Sequence, residues 1–273
     1  MLEQCIKNVR EQQPLIHNIT NYVTVNDVAN AILAVGASPI MADDAAEVEE
    51  ITSICQGLNI NIGTLNSRTI ESMKLAGKKA ASLGHALLLD PVGAGVSHLR
   101  TNTAGDLLDQ IHFTAIRGNV SELKALAGQA QTTQGVDANA ADAVNKENLA
   151  EMAAFAKEYA KKTQSVIVMT GAIDLVADKD RCYTIYNGRA EMARITGTGC
   201  QLSGIMTAFL AANPDNPLEA CACAVIAMGL AGEIAYGHLA SYEGNSSYRN
   251  RIIDALSHLD AKMIKEGAHY EIF

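Results

Sequence analysis

The stretches DPVGAG (90–95), RGNVSE (117–122), TGAID (170–174) and GTGC (197–200) pair glycine with a carboxylate, a guanidinium, a hydroxyl or a thiol. GTGC runs into QLSGIMTAF, an apolar sequence with helical spacing. Backbone N–H groups at a helix start are unpaired and sit at the positive end of the helix dipole, so they bind anions. Glycine permits the close approach and unusual dihedrals that such a cradle needs. Gly197, Thr198 and Gly199 are therefore expected to hold a phosphate, with Cys200 at the hinge between turn and helix. A plain glycine turn beside a buried cysteine is the alternative.

Asp90 closes an apolar run, and Glu122 lies in NVSE. Two carboxylates at neighbouring strand ends could hold Mg²⁺ directly or through its waters. Each also has a plainer reading. Asp-Pro favours a turn, and Asn119 with Glu122 three residues on has the form of a capping box. Arg117 could be a forked donor to phosphates or a salt-bridge partner. Thr170 could bond a phosphate or ribose, or simply turn the chain.

Other phosphate motifs fail. No GxxxxGK[ST] occurs, and GTGCQL lacks the third glycine of GxGxxG. A cysteine phosphatase loop needs arginine where Met206 stands.

These stretches need elements to position them. Short apolar runs at 38–41, 58–63, 86–90, 113–118, 165–171, 174–178 and 182–188 read as strands. Helical patterns fall at 2–12, 25–35, 45–55, 66–83, 97–110, 119–127, 146–162, 199–212, 217–237 and 246–266. The alternation implies βαβ units, hence a mostly parallel sheet with helices on both faces. The runs 174–178 and 182–188 are close enough for one antiparallel hairpin. The polar stretch 128–145 reads as a surface loop. No composition shift or repeat marks a second unit, so residues 1–273 read as a single α/β domain. In such sheets ligands sit beyond the carboxyl ends of the strands, where the glycine-bearing stretches fall.

Composition narrows the function. Net charge is −9, aromatic residues make up 4% and tryptophan is absent. That excludes a nucleic-acid footprint and stacking platforms. The cysteines at 5, 55, 182, 200, 221 and 223 form no CxxC or zinc spacing. Free thiols behind a polar start suggest a reducing cytoplasm. Between Glu219 and Glu233 run thirteen uncharged residues. A span needs about 18 or more, so no membrane segment is expected.

The chain resembles the hydroxyethylthiazole kinases of the ribokinase-like superfamily along essentially its whole length. PLIHNITNYVTVNDVANAILAVGASPIM (14–41) carries the most specific likeness, followed by NIGTL (61–65), DPVGAG, RGNVSEL, VMTGAID and ITGTGC. The resemblance implies a ribokinase-like fold and a Mg²⁺-ATP kinase that phosphorylates 4-methyl-5-(2-hydroxyethyl)thiazole in thiamine salvage. It also implies a homotrimer with thiazole sites at subunit interfaces. Carried over by position, Arg117, Thr170 and Asn119 serve ATP. Met41 and Gly197 contact the thiazole with Asn21 close by, and Asp90 and Glu122 serve the metal side.

Cys200 takes the catalytic place where most of the superfamily has aspartate; the thiazole kinases share the cysteine. A thiolate there could accept the alcohol's proton, its pKa lowered by the helix start. A neutral thiol would instead shape the alcohol site. A related kinase of another small alcohol, of pyrimidine or pyridoxal type, and a non-catalytic thiazole- or thiamine-binding protein are the rival functions.

Overall fold

A computed structural model describes residues 1–128 and 144–273. The stretch 128–145, expected as a loop, lies outside them apart from its ends. The strands are β1 (Leu15–Ile19), β2 (Ser38–Met41), β3 (Gly57–Asn61), β4 (Ala86–Asp90), β5 (Ala115–Asn119), β6 (Val166–Thr170), β7 (Asp174–Ala177), β8 (Cys182–Ile185) and β9 (Tyr270–Ile272). Among the described residues they form one nine-stranded sheet in the order β2-β1-β3-β4-β5-β6-β7-β8-β9. Neighbours from β2 to β6 pair in parallel, and β6 to β9 pair antiparallel.

The helices are α1 (Leu2–Gln12), α2 (Val25–Ala34), α3 (Val48–Ile54), α4 (Ser67–Leu83), α5 (His98–Gln110), α6 (Val120–Leu126), α7 (Leu149–Thr163), α8 (Thr198–Ala212), α9 (Pro217–Gly237), α10 (Asn245–His258) and α11 (Ala261–Gly267). Successive strand residues face opposite sides. In β4, Leu88 joins a core built with α1, α2 and α8 to α11. Leu87 and Leu89 join a core built with α3 to α7. A strand buried on both faces tends to be apolar on both, which is why LLL reads as a continuous run.

Topology puts the ligand crevice in place. β1 pairs with β2 on one side and β3 on the other. Later parallel strands follow outward from β3. The order therefore reverses between β1 and β3, and a crevice opens at their carboxyl ends.

Some expectations need correction. β1 was not foreseen, because LIHNI carries His17 and Asn18. Both are buried: His17 bonds Thr52 Oγ1 and the Ala42 carbonyl, each at 2.9 Å. β9 also escaped, as a short exposed edge. The helix expected over 246–266 breaks into α10 and α11, and Asp260 starts the second by accepting from Met263 N at 2.8 Å. A short 3-10 helix, Ala190–Arg194, fills part of the segment before GTGC. The antiparallel part is larger than one hairpin. Finally, α9 is long and apolar enough to cross a membrane by length and composition, but 89% of its most apolar window is buried inside the fold. Core burial, not shortness, accounts for it.

Candidate active site

Five parallel strands deliver side chains to one end of the sheet. Asn21 follows β1, Asn61 ends β3, Asp90 ends β4, Arg117 and Asn119 lie in β5, and Thr170 ends β6. The start of α8 faces them. A cavity of about 1130 Å³ opens there, lined in part by Asn21, Arg117, Asn119, Glu122, Thr170 and Gly197 to Cys200.

Gly197 caps α8 with φ 87° and no side-chain bond. This left-handed backbone suits glycine. A Cβ at Gly197 would lie 2.3 Å from Thr24 Cγ2, and one at Gly199 would lie 2.6 Å from both terminal nitrogens of Arg117. The glycines thus bring the helix start against Thr24 and the guanidinium. The first backbone bond at this end is Gln201 N to the Gly197 carbonyl, 2.9 Å. No acceptor among the described residues takes the N–H groups of Thr198, Gly199 or Cys200. The N–H groups expected to cradle an anion are thus unpaired, and their residues line the cavity.

Arg117 donates to Thr170 Oγ1 at 2.7 Å and approaches Asp90 Oδ2 at 3.5 Å. Asp90 has no exposed surface and stands behind the cavity wall. Its Oδ2 accepts from Asn61 Nδ2 at 2.7 Å and Ser203 Oγ at 2.8 Å, while buried Oδ1 has no partner. Burial pushes this carboxyl up, and Arg117 opposes the shift.

Glu122 fulfils the plainer reading of NVSE as well as lining the cavity. Its Oε2 accepts from Asn119 N and its Oε1 from Gly93 N, at 2.8 and 2.7 Å, while Asn119 Oδ1 accepts from Glu122 N at 2.8 Å. The capping box therefore also ties the β4 loop to α6. Burial, then the Asp90 charge, raises Glu122 to about 7. Arg100 fixes the same loop by donating to the carbonyls of Val92 and Gly63.

Cys200 Sγ lies 3.2 Å from Nδ2 of both Asn21 and Asn61. Burial and the Asp90 charge push the thiol up, and only the weaker Arg117 influence and hydrogen bonds pull it down. The raised thiol runs against the lowering expected at a helix start. Met41 ends β2, packs partly buried against the core, and does not line this cavity.

Sequence reasoning missed Asn61, Ser203 and Asp174. A signal existed for Asn61: in LNIN, asparagines alternate with apolar residues inside a strand buried on both faces. Ser203 follows Gly199 by one helical turn, a spacing that puts it under the cradle. Asp174 also lines the cavity; it accepts from Gly171 N at 2.9 Å and burial raises it to about 7.

Strand-end carboxylates, a cationic fork and an open helix start meet at one end of a parallel sheet, an arrangement suited to phosphate groups. The hydroxyethylthiazole kinase family profile matches residues 6–262. The chain is 56% identical to a hydroxyethylthiazole kinase of Clostridium acetobutylicum over 273 residues, covering 100% of both chains. It is 48% identical to one from Desulfovibrio desulfuricans, covering 93% of this chain and 92% of that one. A solved hydroxyethylthiazole kinase from Pyrococcus horikoshii OT3 superposes with TM-score 0.88 at 34% identity, covering 100% of this chain and 98% of that one. A Staphylococcus aureus pyridoxal kinase shares the fold at TM-score 0.62, 15% identity and 95% and 98% coverage. The chain belongs to the hydroxyethylthiazole kinase family.

Proposed function

We propose that the protein transfers the terminal phosphoryl group of ATP to the hydroxyl of 4-methyl-5-(2-hydroxyethyl)thiazole, as a step of thiamine salvage in the cytoplasm. The observation that carries this reading is the open start of α8, with Gly199 against the Arg117 guanidinium in a cavity large enough for two ligands. Phosphoryl transfer through a loose transition state asks mainly for alignment and charge stabilisation. The N–H groups of Thr198 to Cys200 and the fork of Arg117 would hold phosphate oxygens as charge moves, and Thr170 keeps that fork aimed. Asn21 and Cys200 would orient the alcohol.

Mg²⁺ fits this donor set as a water-rich ion. Asp90 Oδ1 is buried without a partner behind the cavity wall, and both Glu122 oxygens already accept backbone bonds, so the carboxylates would act on the ion through its waters. No cluster of three His, Cys, Asp or Glu occurs among the described residues. Mg²⁺ often binds through one or two carboxylates plus substrate phosphates and waters, and when bound it neutralises phosphate charge. Glu122 at the cavity wall, with the buried Asp90 carboxylate behind it, would hold that ion through its waters.

A homotrimer is part of the same reading. Met41 lies on β2, the outermost parallel strand, and a second copy against that edge would bring it to a thiazole site. Light scattering that shows a stable monomer at micromolar concentration rejects this assembly. The activity is tested by ADP release coupled to detection of the phosphate ester. Ester is expected with the thiazole alcohol and Mg²⁺-ATP. A pyrimidine or pyridoxal alcohol as the preferred acceptor, or no product with any of them, rejects the assignment.

A further inference from the structure

Asn61 uses the whole hydrogen-bonding capacity of its side chain, and it is only 1% exposed. Its Oδ1 accepts from Gly63 N at 2.9 Å and from Asn21 Nδ2 at 3.0 Å. Its Nδ2 donates to Asp90 Oδ2 at 2.7 Å and to Cys200 Sγ at 3.2 Å. The backbone N–H of Gly63 can only donate, so Oδ1 must face it and Nδ2 must face the carboxylate and the thiol. Asn21 is fixed in the same way. Thr24 N donates to its Oδ1 at 3.2 Å, which leaves Nδ2 on Cys200 Sγ at 3.2 Å.

Two oriented amides therefore donate to one sulfur. The Thr24 side chain also reaches the thiol, and Cys200 itself lines the cavity. One amide also reaches the carboxylate at the neighbouring strand end. We infer that Asn61 is a positioning residue that locks the Asp90 carboxylate and the Cys200 thiol in one geometry, so that the nucleotide side and the alcohol side of the site are set together. The inference rests on the phosphotransfer reading given above. Asn61 itself touches neither substrate; it acts through Asp90, Cys200 and Asn21.

Substitution of Asn61 in the full chain tests this. Asn61→Asp keeps an oxygen towards Gly63 and Asn21 but loses donated bonds; Asn61→Ser is too short to span the partners. Both should lower kcat by about 10²-fold, the cost of a small misplacement in a transfer site, while KM for ATP and for the alcohol stays near wild type. The second readout needs no substrate. Iodoacetamide labelling of Cys200, followed by mass spectrometry, should be several-fold slower in Asn61→Ser than in wild type at the same pH, because a donor that stabilises the thiolate is lost. The buried Cys5, Cys55, Cys182, Cys221 and Cys223 serve as an internal control for the fold and should stay protected. Unchanged kcat and unchanged Cys200 labelling in both variants overturn the inference. Labelling of the buried cysteines alongside Cys200 overturns it too, since Asn61 would then be general packing. If wild-type protein makes no ester, the function reading falls, and the labelling comparison still decides whether Asn61 holds the thiol.

Discussion

The parallel and antiparallel halves of the sheet use buried polar groups differently. At the ends of β3 to β6, side chains bond one another in a series: Asn61 to Asp90, Ser203 to Asp90, Arg117 to Thr170. Two polar atoms of this series, Asp90 Oδ1 and Arg117 Nε, are buried without a partner beside the cavity, whereas among the described residues the antiparallel half has one such atom, Thr184 Oγ1 in β8. Around β7 to β9, the polar side chains mostly bond backbone. Asn187 donates to the Gly267 carbonyl and accepts from His269 N, Glu233 accepts from Gly188 N, and Asp178 accepts from Asp180 N and Arg181 N. The second kind of contact holds loops and shape. The first leaves unspent bonding capacity, which is costly to bury and persists where a ligand makes use of it.

The largest effect should come from closing the cradle. Gly197→Val forces a branched side chain onto a φ of 87° and a Cβ to within 2.3 Å of Thr24 Cγ2. Thr24 also bonds Asn21, so the alcohol side moves with it. Loss of one oxyanion donor costs about 10²–10³-fold, and this variant should lose at least that in kcat at saturating ATP. Circular dichroism checks the fold. A Gly197→Val protein that is folded and active would mean that the antiparallel half, not the helix start, holds the phosphates.

The site should also reveal itself in the pH dependence of stability. Glu122 is raised from 4.5 to about 7 in the folded chain. The folded state therefore keeps a proton that the unfolded state has lost, and stability falls as pH rises between those values. A shift of this size corresponds to up to about 3 kcal/mol at 1.36 kcal/mol per unit. Asp174 acts with the same sign, raised from 3.8 to about 7. Without nucleotide or metal, the wild-type melting temperature should drop more from pH 5 to pH 8 than that of Glu122→Gln. Equal drops in the two proteins would show that Glu122 is not strained by its surroundings.

Much of this was legible in the sequence, for physical reasons that also mark its limits. Apolar strands flanked by helices revealed the sheet, since double-sided burial favours unbroken runs such as LLL. β1 stayed hidden because His17 and Asn18 are buried polar residues whose partners are remote: Thr52 and Ala42 for the histidine. Glycine turns located Gly197 and Gly199, since a close approach leaves a composition signal. Asn61 and Ser203 left only a faint one, because their partners lie on other strands and helices. The chemistry expected of Cys200 changed for a similar reason. Helix position alone lowers a thiol pKa, whereas burial and the Asp90 charge raise this one.

A smaller effect is expected from the antiparallel half. Glu219, 3% exposed in the first turn of α9, accepts from Arg181 at 2.7 Å. Arg181 is half exposed and can return to water. Glu219→Ala should cost about 1–3 kcal/mol in urea unfolding. Its kcat should match wild type. A kcat loss at unchanged stability would erase the distinction between the two halves.

The smallest change should be Cys200→Ser, and it tests which kind of group sits at the hinge. Serine keeps an acceptor for the N–H groups of Asn21 and Asn61. The thiol is held above its ordinary pKa by burial and by Asp90, so little thiolate is available to take the alcohol's proton. A loose transition state needs that proton removed only late, so orientation should matter more than basicity. General-base help is worth about 10²–10⁴-fold, and Cys200→Ser should lose far less than that, no more than about tenfold. Oxygen is smaller than sulfur, and the two amides must close a slight gap, which accounts for the modest loss. Turnover at saturating ATP and alcohol gives the comparison directly. If Cys200→Ser falls by the full general-base factor while Gly197→Val keeps turnover, the thiol is the chemistry and the backbone cradle is scaffold.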